Sequence, residues 1–232
     1  KYFAVTDEQG RLLPHFVAVN NTPARDMAVV ARGHERVLRA RLEDAKFFFR
    51  ADRDTPLERM VEKLAAVLFQ AQLGSVRDKV ERVEQLARVI AGRAGGDERL
   101  VAQAGRAARL CKADLVSHVV GEFPKLQGTM GRVYALLQGE EAAVAAAIEE
   151  HYRPVAAGAE LPATDAGAVL AIADKLDTIC GCFHAGLIPT GAADPYALRR
   201  QTIGILQILR ARGWALALPE IVAGGLARFG AA

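Results

Sequence analysis

The stretch "TDAGAVLAIADKLDTICGCFH", Thr164 to His184, decides the fold. Thr164 or Asp165 can accept the first free amides of a helix, and Val169, Ile172, Ala173, Leu176, Ile179, Cys180 and Phe183 then recur at helical spacing on one apolar stripe. Asp174 and Asp177 stand one turn apart in it. They read either as a carboxylate pair for chemistry or as buried acids bracing neighbouring helices; Lys175 beside them, and the position of Asp174 at the border of the apolar stripe, favour the brace.

Toward the N-terminus the helical period persists back to residue 22. "GEFPKLQG" breaks it, while "TMGRVYALLQG" and "EEAAVAAAIEEHY" read as two helices, the Ala-rich run being good helix former. A helix through Leu100, Ala104, Ala107, Ala108 and Leu115 follows the loop "GRAGGDE". Ser75 caps "VRDKVERVEQLARVIAG", and Thr55-Pro56 opens a helix running to a stop at Gly74, the two packing antiparallel. Thr22-Pro23 opens another, with a possible kink at Gly33, ending near Phe49. Its apolar face is Val37, Leu38, Leu42, Ala45, Phe48 and Phe49, and Arg41 reads as a half-buried residue held by Asp44. The opposite stripe is Arg32, Arg36, Arg39, Glu43, Lys46, Arg50, five cations against one anion, more one-sided than solubility requires; it reads either as a solvated face or as a phosphate contact. Before it, Tyr2 to Val5 and Phe16 to Val19 flank the polar turn "TDEQGRLLPH" as a β-hairpin, expected to be the remnant of a preceding domain.

Toward the C-terminus, "IPTGAADPYALRRQTIGIL", Ile188 to Leu206, places Asp194-Pro195 at a helix start with Arg199 and Arg200 on its second turn. A cation gains nothing from the helix dipole there. Two partners suit the pair: an anion such as phosphate, or buried acids such as Asp174 or Asp177.

The chain has 232 residues, 51% hydrophobic, with net charge +3, which tolerates a polyanion without demanding one. Three cysteines, Cys111, Cys180 and Cys182, support neither a disulfide framework nor a zinc site, so a reducing cytoplasm is expected. No apolar run approaches the roughly 20 residues that span a bilayer, and no membrane partner is expected. The five histidines, at 15, 34, 118, 151 and 184, show no metal-ligand spacing, and no phosphate loop, dinucleotide fingerprint or nucleophile elbow occurs.

The blocks "GHERVLRARLEDAKFFF", "FQAQLGSVRDKVERV", "CKADLVSHVVGEFPKLQGTMGRVYA", "AIADKLDTICGCFHAGLIPTG" and "ADPYALRRQTIGIL", in this order, resemble the β subunit of bacterial glycyl-tRNA synthetase of the α2β2 type. His34 departs from the pattern, which has Asn after the Gly. The resemblance implies ATP-dependent attachment of glycine to tRNA(Gly), with ATP and Mg on the α subunit and no cofactor or metal bound by this segment. It implies tRNA(Gly), the α subunit and the rest of the β subunit as partners.

The middle of the chain is also similar to the HD phosphohydrolase superfamily, whose His-Asp position falls at Cys111-Lys112, with His118, His151 and Asp174 as remnants of a metal site. A protonated Lys cannot ligate a divalent ion. The expected architecture is mainly α: a helical bundle resembling the HD fold, with residues 1–21 a hairpin remnant, 22–95 a helical hairpin and linker, and 96–232 a degenerate HD-like domain. The expected function is tRNA positioning toward the α-subunit active site through Arg32, Arg36, Arg39, Lys46, Arg50, Arg199 and Arg200, with no catalytic residue of its own. The alternatives are a metal-dependent HD-type phosphohydrolase and a purely structural brace between subunits.

Overall fold

In the computed structural model, which describes residues 2–156, 158–191 and 193–230, the N-terminal apolar runs form the expected hairpin. Lys1, Ala157, Ala192, Ala231 and Ala232, which the ranges 1–21 and 96–232 include, lie outside the described residues. Strands β1 (Tyr2–Thr6) and β2 (Leu12–Ala18) pair antiparallel, from Tyr2 opposite Ala18 to Thr6 opposite Leu12. The second strand begins earlier than the polar composition suggests. Asp7 closes the turn by itself, its Oδ1 accepting the amides of Gln9 at 3.0 Å and Arg11 at 2.8 Å, so pairing resumes at Leu12.

The chain divides into two compact units, residues 1–49 and 50–232. Helix α1 (Met27–Arg53) is continuous through Gly33 and both starts and ends later than Pro23 and Phe49 suggest. Asp26 is the reason for the later start: its carboxylate accepts the amides of Ala28 at 2.8 Å and Val29 at 3.2 Å. In the first unit His34 ties the hairpin to this helix. The Tyr2 hydroxyl donates to its Nδ1 and its Nε2–H donates to Asn20 Oδ1, each at 2.9 Å. Arg41 is exposed rather than half-buried. Of the expected apolar stripe, Leu38, Ala45, Phe48 and Phe49 are half-buried, whereas Val37 and Leu42 are exposed, so periodicity found the face but not its covering.

The second unit contains α2 (Leu57–Lys63), β3 (Leu68–Gln70), β4 (Gly74–Ser75), α3 (Val76–Arg93), α4 (Glu98–Leu110), α5 (His118–Glu122), α6 (Thr129–Leu137), α7 (Ala142–Glu150), α8 (Asp165–His184), α9 (Leu198–Arg212) and α10 (Leu218–Leu226). The helix expected to reach Gly74 stops at Lys63. After it, Leu68–Gln70 doubles back onto Gly74–Ser75 through a turn in which Gly74 takes φ +87°, delivering Ser75 into a capping box with Asp78. The helix expected to reach Leu115 ends at Leu110, where a 3₁₀ turn over Ala113–Val116 redirects the chain.

Helix α8 occupies the centre. Helices α3, α4, α7, α9 and α10 all pack on it, so it is buried nearly all round rather than along one stripe; Phe183, placed on that stripe, is instead exposed. Small side chains permit this crowding, because the distance between helix axes is set by the residues at the contact. Ala168, Ala171 and Ala173 of α8, Ala104, Ala107 and Ala108 of α4, and Ala145 and Ala147 of α7 are all fully buried. The Ala-rich run of α7 is therefore packing surface as well as helix former.

Two buried carboxylates fix the loops around this core. Asp52, at the end of α1, accepts the amides of His118 and Val119 at 2.9 Å each, the His118 ring at 2.7 Å and the Tyr134 hydroxyl at 2.9 Å. Burial pushes its pKa up, but these donors outweigh burial and hold it below the ordinary value. Asp114 lies under the start of α6, where its Oδ2 accepts the amides of Gly128 at 2.6 Å and Gly131 at 3.1 Å. Gly131 has no room for a side chain: a Cβ would lie 2.7 Å from Ile148 Cγ2. Asp52→Ala strands several buried donors and is expected to cost about 3–5 kcal/mol in denaturant unfolding, with faster hydrogen exchange at the His118 and Val119 amides. A loss below ~1 kcal/mol contradicts this account of Asp52.

Candidate functional site

Between α3, α8, α9 and the segments that follow α4 and α7 lies a cavity of about 580 Å³, walled by Lys79, Lys112, His151, Tyr152, Asp174, Lys175 and Arg200 among others. The local chain explains how these charges come to be buried. Asp177 is fully buried on α8 and faces α3, which offers Lys79 and Arg82 one turn apart. Arg82 forks onto Asp177, with Nε 2.7 Å from Oδ1 and Nη2 3.3 Å from Oδ2. The Lys79 ammonium donates to the Asp174 carbonyl at 3.0 Å, to Asp177 Oδ2 at 3.2 Å and to Thr178 Oγ1 at 2.8 Å. The two acids therefore brace helices, the reading their sequence context favoured.

Lys112 is the pivot. Its ammonium lies 2.7 Å from His151 Nε2 and 3.3 Å from Asp174 Oδ2, and 4.2 Å from the centroid of the Tyr152 ring. On the other side of the imidazole, Nδ1 is 2.6 Å from the Ile148 carbonyl oxygen, which can only accept, so Nδ1 carries the proton and Nε2 accepts from Lys112. Burial and the Lys112 charge both depress the His151 pKa, in keeping with that neutral tautomer. Burial alone pushes the Asp174 carboxyl up, but Lys112 and Lys79 hold it well below the ordinary carboxylate range.

The arrangement does not fit a divalent ion. One ammonium bridges His151 Nε2 and Asp174 Oδ2, the two atoms that would have to ligate it, and brings positive charge to the same place. His118, grouped with them by the superfamily resemblance, bonds Asp52 instead and does not line the cavity. Among the described residues no group of three or more His, Cys, Asp or Glu side chains is placed to hold a metal. The three thiols are free and buried; burial pushes Cys111 to about 12 and Cys180 to about 11, so neither is a ready nucleophile.

The predicted cationic residues fall in three places. Arg32, Arg36, Arg39 and Lys46 are exposed on α1 in the first unit, and Lys46 alone is paired, with Glu43 at 2.7 Å. Arg50, exposed on the same helix, belongs to the second unit. Among the described residues none of Arg32, Arg36, Arg39 and Arg50 makes an ion pair.

Arg199 and Arg200 lie on the first turn of α9, not its second. The helix opens at Leu198 because Ala197 takes a left-handed φ of +53°. Asp194 caps it across that break, accepting the amides of Leu198 at 2.8 Å and Arg199 at 3.0 Å. Both arginines are exposed, and Arg199 donates to the Gly191 carbonyl at 2.6 Å. Neither reaches Asp174 or Asp177, whose partners are Lys79, Arg82 and Lys112. Sequence reasoning missed Lys79, Arg82 and Lys112 as the residues that answer the α8 acids; the available signal was a pair of cations at i,i+3 on an amphipathic helix.

The sign of the acid dependence follows from Asp174. Its folded pKa is depressed, so its stabilisation is complete above the unfolded value of about 3.9 and is lost as pH falls below that toward the folded value. Asp174→Asn is expected to cost about 3–5 kcal/mol at neutral pH, and the deficit should narrow below pH ~4. Urea unfolding of both proteins across that range checks it; a deficit that does not change with pH refutes it.

Comparison with known proteins covers nearly the whole chain. A family profile described as "Glycyl-tRNA synthetase beta subunit" matches residues 1–231. The glycine–tRNA ligase beta subunit of Desulforapulum autotrophicum is 58% identical over 229 residues, covering 99% of this chain and 33% of that protein. The beta subunits of Geotalea uraniireducens and Geobacter sulfurreducens are each 56% identical, over 228 and 218 residues, covering 98% and 94% of this chain. The chain thus spans about a third of the length of these relatives. It belongs to the glycyl-tRNA synthetase beta subunit family.

Proposed function

We propose that this segment helps make glycyl-tRNA by holding tRNA(Gly) through its phosphates and positioning the acceptor arm for the α subunit, where glycine activation with ATP and Mg takes place. The observation that carries the reading is the row Arg32, Arg36, Arg39 on α1: exposed, at helical spacing, and without ion pairs among the described residues. A guanidinium fork matches phosphate geometry, and each phosphate neutralised releases counterions, which supplies affinity without sequence readout. Lys46, Arg50, Arg199 and Arg200 are exposed and extend the set of available donors. The rest of the β subunit and the α subunit are the partners, and the segment itself supplies binding and orientation rather than bond chemistry.

One observation favours bracing as a second role for the same helix. Val37, Leu42 and Phe47 are half or more exposed, an apolar surface suited to another part of the assembly.

Filter binding of tRNA(Gly) to the assembled α and β subunits, wild type against Arg32→Ala/Arg36→Ala/Arg39→Ala, tests the reading. The expected result is weaker binding and a salt dependence shallower by ~0.7–0.9 per lost contact, with glycine-dependent ATP–pyrophosphate exchange unchanged. Unchanged affinity and salt slope would leave bracing as the role of α1.

A further inference from the structure

The cavity walled by Lys79, Lys112, Lys175 and Arg200 holds more positive charge than the protein neutralises. Four interior cations, Lys79, Arg82, Lys112 and Lys175, face three buried carboxylates, Asp174, Asp177 and, within electrostatic reach of Lys112, Asp114, and His151 is neutral. Arg200 stands at the wall with no ion pair among the described residues. An uncompensated buried cation is costly unless something answers it.

Donor accounting says where. Each ammonium has three N–H groups. Lys79 spends all three on the Asp174 carbonyl, Asp177 and Thr178. Lys112 spends two, on His151 and Asp174, and Lys175 spends two, on the carbonyls of His151 at 3.1 Å and Arg153 at 2.8 Å. Lys175 therefore retains a donor, although it is only 6% exposed; the remaining Lys112 N–H meets nothing stronger than the face of the Tyr152 ring, and Arg200 retains its guanidinium fork. Burial and the neighbouring Lys112 and Lys79 bring Lys175 down to about 8 against the opposing pull of Asp174, a repulsion that an anion would relieve.

We infer that this cavity binds a terminal phosphomonoester, the 5′-phosphate of an RNA or of a mononucleotide, held by Lys112, Lys175 and Arg200 with its sugar and base against the exposed Tyr196. A monoester presents three free oxygens to three donor groups and enters end-on. An internal diester has two such oxygens and a nucleotide on either side, which keeps it from lysines this deep. The volume of about 580 Å³ accommodates a nucleotide. The one carboxylate on the wall, Asp174, is already met by Lys79 and Lys112 at 3.2 and 3.3 Å. The RNA arm rests on the tRNA reading above; the mononucleotide arm does not.

Calorimetric titration of the full-length β subunit with inorganic phosphate, AMP and adenosine, alongside binding of tRNA(Gly) with and without its 5′-phosphate, tests this. Phosphate and AMP are expected to bind, with adenosine about tenfold weaker than AMP. Arg200→Gln, an exposed change that leaves the fold intact, should weaken AMP about fivefold or more at unchanged melting temperature, and Lys175→Met should weaken it further. Loss of about tenfold in tRNA affinity on removing the 5′-phosphate assigns the ligand to RNA; AMP binding with no such loss assigns it to a free nucleotide. No heat from AMP or phosphate at about 10 mM, or equal AMP binding by wild type and Arg200→Gln, overturns the inference. If the α1 arginine variants leave tRNA binding untouched while AMP still binds, the tRNA reading fails and this one stands.

Discussion

The buried charge cluster on α8 is the constraint around which the second unit is arranged. Asp177 is wholly enclosed, and an enclosed carboxylate survives in its charged form only where cations and donors surround it. Arg82 and Lys79 meet that demand from α3, and Lys112 meets the neighbouring demand of Asp174 from just beyond α4. Such pairs add little net stability compared with an apolar core, yet breaking one is expensive, so they act as a test of register. A slip of α3 along α8 would carry Lys79 and Arg82 away from the two acids and leave those carboxylates bare.

Packing and charge solve complementary parts of the problem. Alanines on α4, α7 and α8 let five helices crowd one, and that closeness is what drives the local dielectric down and raises the cost of an unmatched charge. Asp52 and Asp114 do related work: Asp52 gathers amides from a segment 66 and 67 residues on, Asp114 from the start of α6, and each closes its segment onto the core. The cationic cavity is a by-product of the same geometry. Lys112 occupies the position between His151 and Asp174 and sets an ammonium against both side chains.

Local chemistry was the legible part. The Ser75 and Thr164 caps, the Asp194 cap, the hairpin and the bracing role of Asp174 and Asp177 all involve residues within a few positions of their partners, or residue types whose burial demands a partner. The misjudged boundaries have long-range or side-chain causes. Asp26 starts α1 four residues after Thr22, Ala197 delays α9, and the pairing of Leu68–Gln70 with Gly74–Ser75 ends what periodicity reads as one helix. Arg41 was misread because a 3.6-residue period locates a face without saying whether anything covers it.

The sequence by itself determined that the chain is helical, where several helices begin, that α8 carries acids needing partners, and that α1 carries a one-sided row of arginines, since each follows from spacing and residue type. Only the tertiary structure decided which cations answer those acids, that His118 serves Asp52 rather than joining His151, and that Arg199 and Arg200 stay at the surface with Arg200 on the cavity wall. The physical reason is separation along the chain. Lys112 meets Asp174 across 62 residues and Lys79 meets Asp177 across 98, and no local period carries information over such distances; shape and charge neutrality of the packed core do.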